Sequence, residues 1–488
     1  MATDTEPRSP ARRGASELDF LKKKRTRKFG YKPSVDLSPV LVDSHTYVSR
    51  RRRTIDAASL LILTVIFIQL VPSRLVVPTL TAVGRPGLLM GLILAVWWLL
   101  SKTHPALAMP GPQPMRWAFF VYLLSLMLSY AAGEFRGMTL LESNSADRAM
   151  IEAFCFMGII FMAADGLSTR ERLDDVQRML VYCTTINGLL GIAQFVTKRD
   201  LTQSIVIPGL VLQGEPVGLA DRGAGGLIRV AGTTNHYIEF SVVMAFALPL
   251  AIHYARYAKR TGERKLFMLC AVILAGAVPL ALSRTGILAV FIALACMLPA
   301  WDARFKFNIA VIGLGLVGAL SVVRPGLVGT LSSLFTNAEK DPSISGRTSD
   351  YSDVFKYAAE RPWLGRGTGT FIPELYRLLD NQWLLTLMNN GWIGIGALIV
   401  LHFTGVFLAI IAFRRAESEV DRHLCAAIAS VPLIAALTGL TFDSFSFSTF
   451  VVVLGLELGC AGAMWRFTHP ARTTRGAAVG ARLTPVDQ

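Results

Sequence analysis

Charge is scarce in this chain. Of its 488 residues only 17% are Asp, Glu, Lys or Arg, while 52% are hydrophobic, and the mean hydropathy is +0.47. A soluble reading would need several separate cores and would leave the long apolar runs unexplained. Cysteine is sparse too. Cys155, Cys183, Cys270, Cys296, Cys425 and Cys460 each fall in or at the end of an apolar run, so no structural disulfide is expected. There is no CxxC pair and no cluster of His and carboxylates at ligand spacing, which leaves a metal site without support. There is no phosphate-cradling glycine loop and no soluble stretch large enough for a nucleotide-binding domain. Direct use of ATP is therefore not expected, nor is any cofactor.

What the chain does have is apolar length. Twelve runs lie near 54–71, 86–101, 116–132, 149–166, 177–197, 237–255, 266–282, 285–300, 307–323, 386–412, 424–440 and 446–464. Each is about long enough to cross a ~30 Å hydrocarbon layer as a helix. The expected fold is an all-α, polytopic helical bundle of about twelve transmembrane helices. Residues 54–323 would hold the first nine, with an outer loop near 198–236. Residues 324–385 would form a long extracytoplasmic loop with short helices, and 386–464 the last three spans.

Charge sign then suggests an orientation. The net charge is +15, and the basic residues are clustered. The tail 1–53 carries Lys22-Lys23-Lys24-Arg25-Thr26-Arg27-Lys28 and Arg50 to Arg53. Further clusters are Arg256 to Lys265, Arg304 with Lys306, Arg414 with Arg415, and the basic tail 465–488. Counting twelve spans puts all of them on one side, which the positive-inside rule makes cytoplasmic, with both termini inside. The basic tail lacks aromatic interleaving and any nucleic-acid motif. Its expected partner is the anionic headgroups of membrane lipids, and no nucleic acid. Residues 1–53 read as disordered. They do not read as a secretory signal, because the first apolar run starts too late.

That topology places three polar regions together outside. The first, 198–236, holds Arg222, Arg229 and Ala231-Gly232-Thr233-Thr234-Asn235-His236, with Glu239 just inside the next span. The second is the turn Leu282-Ser283-Arg284-Thr285-Gly286. The third is the long loop, with Ser345-Gly346-Arg347, Pro362-Trp363-Leu364-Gly365-Arg366-Gly367-Thr368-Gly369-Thr370-Phe371 and Asp380-Asn381-Gln382-Trp383-Leu384. Arg284 interrupts an apolar stretch, where an arginine costs on the order of 3 kcal/mol at mid-membrane. It is either a turn residue facing headgroups or a fixed cation holding phosphate oxygens bidentately. Arg347 is either a solvated loop charge or a second such cation. It would open a short surface helix from Ser349 to Glu360, with Tyr351, Val354, Phe355 and Ala358 on one apolar face. Gly365, Gly367 and Gly369 mark a turn-rich segment that permits close backbone approach.

The order of these stations resembles the O-antigen ligase and Wzy-type polymerase superfamily of bacterial membrane glycosyltransferases. The matching pieces are Gly232-Thr233-Thr234-Asn235, Ser283-Arg284-Thr285-Gly286, Gly346-Arg347, Pro362 to Phe371, Asp380 to Leu384 and Gly391-Trp392-Ile393-Gly394. The resemblance implies transfer of a glycan from a polyprenyl-diphosphate-linked donor to a glycan, lipid or protein hydroxyl, without metal or nucleotide. It makes Arg284 and Arg347 the diphosphate clamp, with Arg229 a further candidate. In that family a loop histidine activates the acceptor; here Asp380 stands in its place. A carboxylate of ordinary pKa near 4 suits a base at neutral pH only if desolvated; otherwise it positions the acceptor. His236, Asn235, Glu239, Asn381, Tyr351 and Trp363 are candidate acceptor or sugar contacts. Tyr351, Trp363 and Trp383 also read as interfacial belt aromatics. Glu457 in the last span and Asp443 at an outer turn stay unassigned. Two other readings stand beside glycan transfer. One is a transporter of a small solute or lipid-linked precursor; the other is a degenerate scaffold of a polysaccharide complex.

Overall fold

The computed structural model describes residues 55–80, 83–103, 112–213, 221–222, 227–323, 326–336 and 342–470. The expectations placed on the tail 1–53, on stretches 324–325 and 337–341 of the long loop, and on the chain after 470 lie outside them. Fourteen α-helices run in order through the described residues. They are α1 Ala57–Leu70, α2 Pro86–Thr103, α3 Pro114–Arg136, α4 Leu140–Gly166, α5 Arg170–Thr197, α6 Tyr237–Tyr257 and α7 Thr261–Ala277. They continue with α8 Arg284–Met297, α9 Ala303–Val323, α10 Leu327–Thr336, α11 Pro342–Glu360, α12 Gln382–Arg415, α13 Glu419–Thr438 and α14 Ser448–Phe467. Each of the twelve apolar runs falls on a helix. Ten helices are long and apolar enough to cross a membrane, and Ala57–Leu70 and Arg284–Ala300 are shorter apolar helices. The protein is a multi-pass membrane protein of all-α class.

Local chemistry sets the helix starts. Asp56 accepts from Ser59 N at 2.9 Å ahead of α1, and Thr139 with Glu142 forms a capping box ahead of α4. Short turns then reverse the chain from one helix to the next. Contacts among the turns define one end of the bundle: Ser73 Oγ to Thr449 Oγ1 at 3.2 Å, Arg136 Nε to Arg366 O at 3.1 Å, and Thr285 Oγ1 to Thr441 Oγ1 at 2.9 Å. The turns carrying Arg256 to Lys265, Arg304 and Arg414 lie at the opposite end. There Asp165 pairs with Lys102 at 3.1 Å and Arg116 at 3.3 Å, and Arg170 with Asp421 at 2.9 Å.

Helices α6 and α14 are the centre of the bundle and are buried along nearly their whole length. In lipid there is no hydrophobic force between apolar helices, so close backbone packing must hold them. Gly455 and Gly459 supply it: a Cβ would meet Phe156 at 2.8 Å and Ala163 Cβ at 2.4 Å on α4.

The long loop between α9 and α12 departs from expectation in two ways. Its helix α11 begins at Pro342, seven residues before the expected Ser349, so Arg347 lies within the helix and does not open it. Its apolar face is also divided. Val354 and Ala358 are buried beside Phe371, Leu384 and Met388, while Tyr351 and Phe355 are exposed.

The loop then splices into α12. At Gly391 that helix is broken, with φ 64° and ψ −164°. The break frees carbonyls and amides that a membrane interior cannot satisfy. The loop satisfies them. Arg366 N donates to Met388 O at 2.9 Å and Gly367 N to Asn389 O at 3.0 Å. Trp392 N and Ile393 N donate to Pro362 O and Trp363 O at 2.8 and 3.2 Å. Ser129 Oγ on α3 adds bonds to Leu364 O and Asn389 O. Approach this close requires glycine: a Cβ on Gly365 would lie 2.5 Å from the Asn389 carbonyl, and one on Gly391 2.4 Å from that of Trp363.

Gly391→Ala is therefore expected to cost on the order of 3 kcal/mol, from a left-handed φ plus a backbone clash. Gly396→Ala, five residues on and open to space, should be neutral or slightly stabilising. Thermal unfolding of both variants in detergent, followed by size-exclusion chromatography, checks the contrast. Equal midpoints would overturn the role given to the splice.

Candidate active site

The sequence stations converge on the turn between α13 and α14, residues 439–447. Thr285, beside Arg284 at the start of α8, bonds Thr441. Gly286 lets α8 approach α6, since a Cβ there would meet Ser241 at 2.5 Å. The start of α12 is tied to the same turn: Gln382 N donates to Gly439 O at 2.8 Å, Phe445 N to Gln382 Oε1 at 2.8 Å, and Asn381 Nδ2 to Leu440 O at 3.1 Å. His236 sits 5.6 Å from the Phe447 ring, centroid to centroid.

The Gly232-Thr233-Thr234-Asn235 station is held from below by amides that sequence reasoning missed. Gln194 accepts from Gly232 N at 2.8 Å and Asn187 Oδ1 from Thr233 N at 2.9 Å, while Thr233 Oγ1 donates to Gln69 O at 2.7 Å. Gly232 has φ 57°, which favours glycine. Polar residues within apolar spans were the available signal: the Gln194 and Asn187 side chains clamp backbone, and the Gln69 side chain accepts from Asn187 Nδ2 at 3.3 Å.

His236, Asp380 and Asp443 form one electrostatic neighbourhood. His236 Nδ1 accepts from Ile238 N at 3.3 Å and caps α6. The ring is thereby fixed as the neutral tautomer with its proton on Nε2, so it faces outward as a donor rather than a base. Burial drops its pKa to about 4, opposed by the attraction of Asp380 and aided by the repulsion of Arg229. Arg229 lies 4.3 Å over the Tyr237 ring. Asp443 is pushed up to about 6, first by burial and further by the negative charge of half-buried Asp380.

Other candidates have local employment. Glu239 is fully buried and accepts from Asn235 N at 3.0 Å, Thr449 N at 2.9 Å and Phe450 N at 3.2 Å. It caps two helices at once. Asn381 caps α12 through Trp383 N and Leu384 N and donates to the Tyr351 hydroxyl at 3.1 Å. Trp363 is exposed, while its carbonyl serves the splice. The backbone of Arg347 is in α11, but its side chain lies outside the described residues.

Beside this neighbourhood opens a cavity of ≈ 550 Å³, reached by Asp443 and Ser446 of the same turn. Its walls are one stripe of α4, including Arg148 and Glu152, the first half of α12, and loop residues 368–379. Arg85, ahead of α2, completes it. None of these cavity cations was found from the sequence.

Comparison with known proteins now bears on this geometry. Residues 269–401 match a family model described as O-antigen ligase. A search of curated proteins gave no match. The matched segment runs from within α7 into α12, so it contains Arg284, Arg347, the splice and Asp380. It leaves out His236, Arg85, Arg148 and the 439–447 turn.

The His236 shift gives a pH test. A folded pKa near 4 against an ordinary 6.5 means stability present above pH 6.5 and lost as pH falls through 4. The loss is about 3 kcal/mol at most. His236→Asn keeps a capping oxygen without the titration. Its melting temperature should fall less than that of the native protein between pH 6.5 and 4, and parallel curves would refute the assignment.

Proposed function

We propose that this protein transfers a glycan from a polyprenyl diphosphate carrier to an acceptor hydroxyl, in the building of a cell-surface polysaccharide. It would lie in the cytoplasmic membrane with both termini inside and the site outside. The observation that carries this reading is the ligase match over the segment holding Arg284, Arg347 and Asp380. Its support is the convergence of Thr285, Asn381 and His236 on one turn at one end of the bundle.

The reaction asks little of the protein beyond charge placement. The acceptor O–H bond breaks and its oxygen bonds to the anomeric carbon. The bond from that carbon to the diphosphate breaks, and the carrier diphosphate leaves with the electron pair. Negative charge grows on the leaving diphosphate, which is where Arg284 and Arg347 act, with Arg229 nearby. Arginine suits this because its fork binds phosphate bidentately and never loses its proton. No metal or nucleotide takes part in this reading. The acceptor proton goes to the Asp380–Asp443 pair and then to water. A value near 6 for Asp443 brings that carboxylate close to the working range. His236, a donor through Nε2, orients the acceptor.

Cells lacking the protein should accumulate the polyprenyl-diphosphate-linked glycan and lose the matching surface polymer, read by lipid mass spectrometry. Arg284→Ala and Arg347→Ala should each lower transfer at least about 10²-fold at unchanged expression. Full activity in both variants would sink the clamp. The transfer rate should also rise with pH through about 6, and Asp443→Asn should remove that limb. An unchanged profile in Asp443→Asn would take this residue out of the proton path.

A further inference from the structure

The cavity beside the 439–447 turn holds one group whose position is expensive. Arg85 is half-buried and lines the cavity. Its carbonyl accepts from Leu88 N and Leu89 N, but among the described residues its guanidinium makes no hydrogen bond and no ion pair. Its neighbours by charge are Arg148, which opposes it, and the carboxylates of Glu152 and Glu239, which favour it less strongly. Burial, then Arg148, holds its pKa below the ordinary value. Glu239 is already committed to three backbone amides, and Glu152 Oε1 to Arg148 Nε at 3.0 Å. A guanidinium with five donors is thus kept in a partly desolvated wall without an acceptor.

The other cations and anions of the wall do not supply that acceptor. Arg377 is engaged by Asp350 and Asp353 of α11. Asp443 faces Asp380. Glu374 also lines the cavity but does not interact with Arg85, and much of the remaining wall is neutral and polar or aromatic. Asn144 and Ser145 make no side-chain hydrogen bond with any described residue, and Tyr122, Phe156 and Phe445 add ring faces and edges. Amides, hydroxyls and rings around a paired cation site are the chemistry that recognises a sugar bearing a negative group.

We infer that this cavity binds a sugar of the transferred or accepting glycan, and that Arg85, assisted by Arg148, takes an anionic substituent on that sugar. The inference rests on the glycan-transfer reading and deepens it: the substrate belongs to the acidic glycans. The cavity is a second anion subsite, separate from the diphosphate clamp at Arg284. An unpaired, half-buried arginine lowers the stability of the empty protein, a cost typical of binding residues.

The test uses the purified full chain in lipid nanodiscs, with thermal shift as the readout. The probes are methyl glucuronide, methyl glucoside and inorganic diphosphate. Methyl glucuronide should raise the melting temperature of the native protein, and methyl glucoside should not. Arg85→Gln should abolish the glucuronide shift, while its own melting temperature without ligand equals or exceeds that of the native protein. Arg284→Ala should keep the glucuronide shift and lose the diphosphate shift. A shift equal for the two glycosides, or one that survives Arg85→Gln, would overturn the subsite. So would a diphosphate shift that requires Arg85, because the cavity would then be the carrier's phosphate site. If Arg85→Gln fails to fold, Arg85→Lys decides. A single ammonium cannot hold a carboxylate bidentately, so the glucuronide affinity should drop at least about 10-fold; an unchanged affinity would overturn the proposal. These outcomes need no transfer reaction. Lipid-linked glycan accumulation in cells tests the transfer reading separately.

Discussion

The break in α12 at Gly391 is the constraint on which the rest depends. A helix interrupted inside a membrane protein exposes backbone groups that neither lipid nor apolar side chains can satisfy. Here four backbone hydrogen bonds from the 362–367 segment close the gap. The same bonds fix where that segment lies, and so where 368–380 must run. The cavity wall, the position of Asp380 and the capped start of α12 all follow from that one junction. Glu142 reinforces it from α4, accepting from Arg136 at 2.8 Å and from the Tyr376 hydroxyl at 2.7 Å.

A second organising element is the turn at 439–447. It follows a helix of the core, and it touches several of the stations that carry chemistry. Thr441 meets α8, Phe442 and Gly439 meet Gln382, Phe447 meets His236, and Asp443 reaches the cavity. Helix capping and site building are done here by the same residues. Glu239 shows the consequence, since its three bonds to backbone amides join α6 to α14 in place of contacting a substrate.

Much of the architecture was legible in the sequence because hydropathy and helix crossing share one length scale. All twelve apolar runs lie on helices, although α1 and α8 are short. The glycines of the 365–369 segment were legible as close-approach residues, but what they approach was not, because Met388 to Trp392 read as an unbroken span. Arg347 was misplaced relative to its helix start, since Pro342 suits a first turn and the apolar face began only at Tyr351. Arg85 and Arg148 gave no signal for a different reason. One precedes a span and the other sits at the edge of one, where charges are common, and only the folded bundle sets them on one cavity.

One peripheral feature changes how the whole loop behaves. No residue described in α9 is fully buried, and it leans on the bundle through the partly buried Phe305, Ile309 and Leu320. The segment from α9 to α12 therefore has two unlike ends. Its C-terminal end is welded to protein by hydrogen bonds. Its N-terminal end rests on the bundle through a few partly buried side chains and otherwise faces hydrocarbon, where apolar contacts with protein and with lipid are nearly equivalent. Membrane thickness and lipid composition can thus reach α11 mechanically, while leaving the spliced half of the loop where it is.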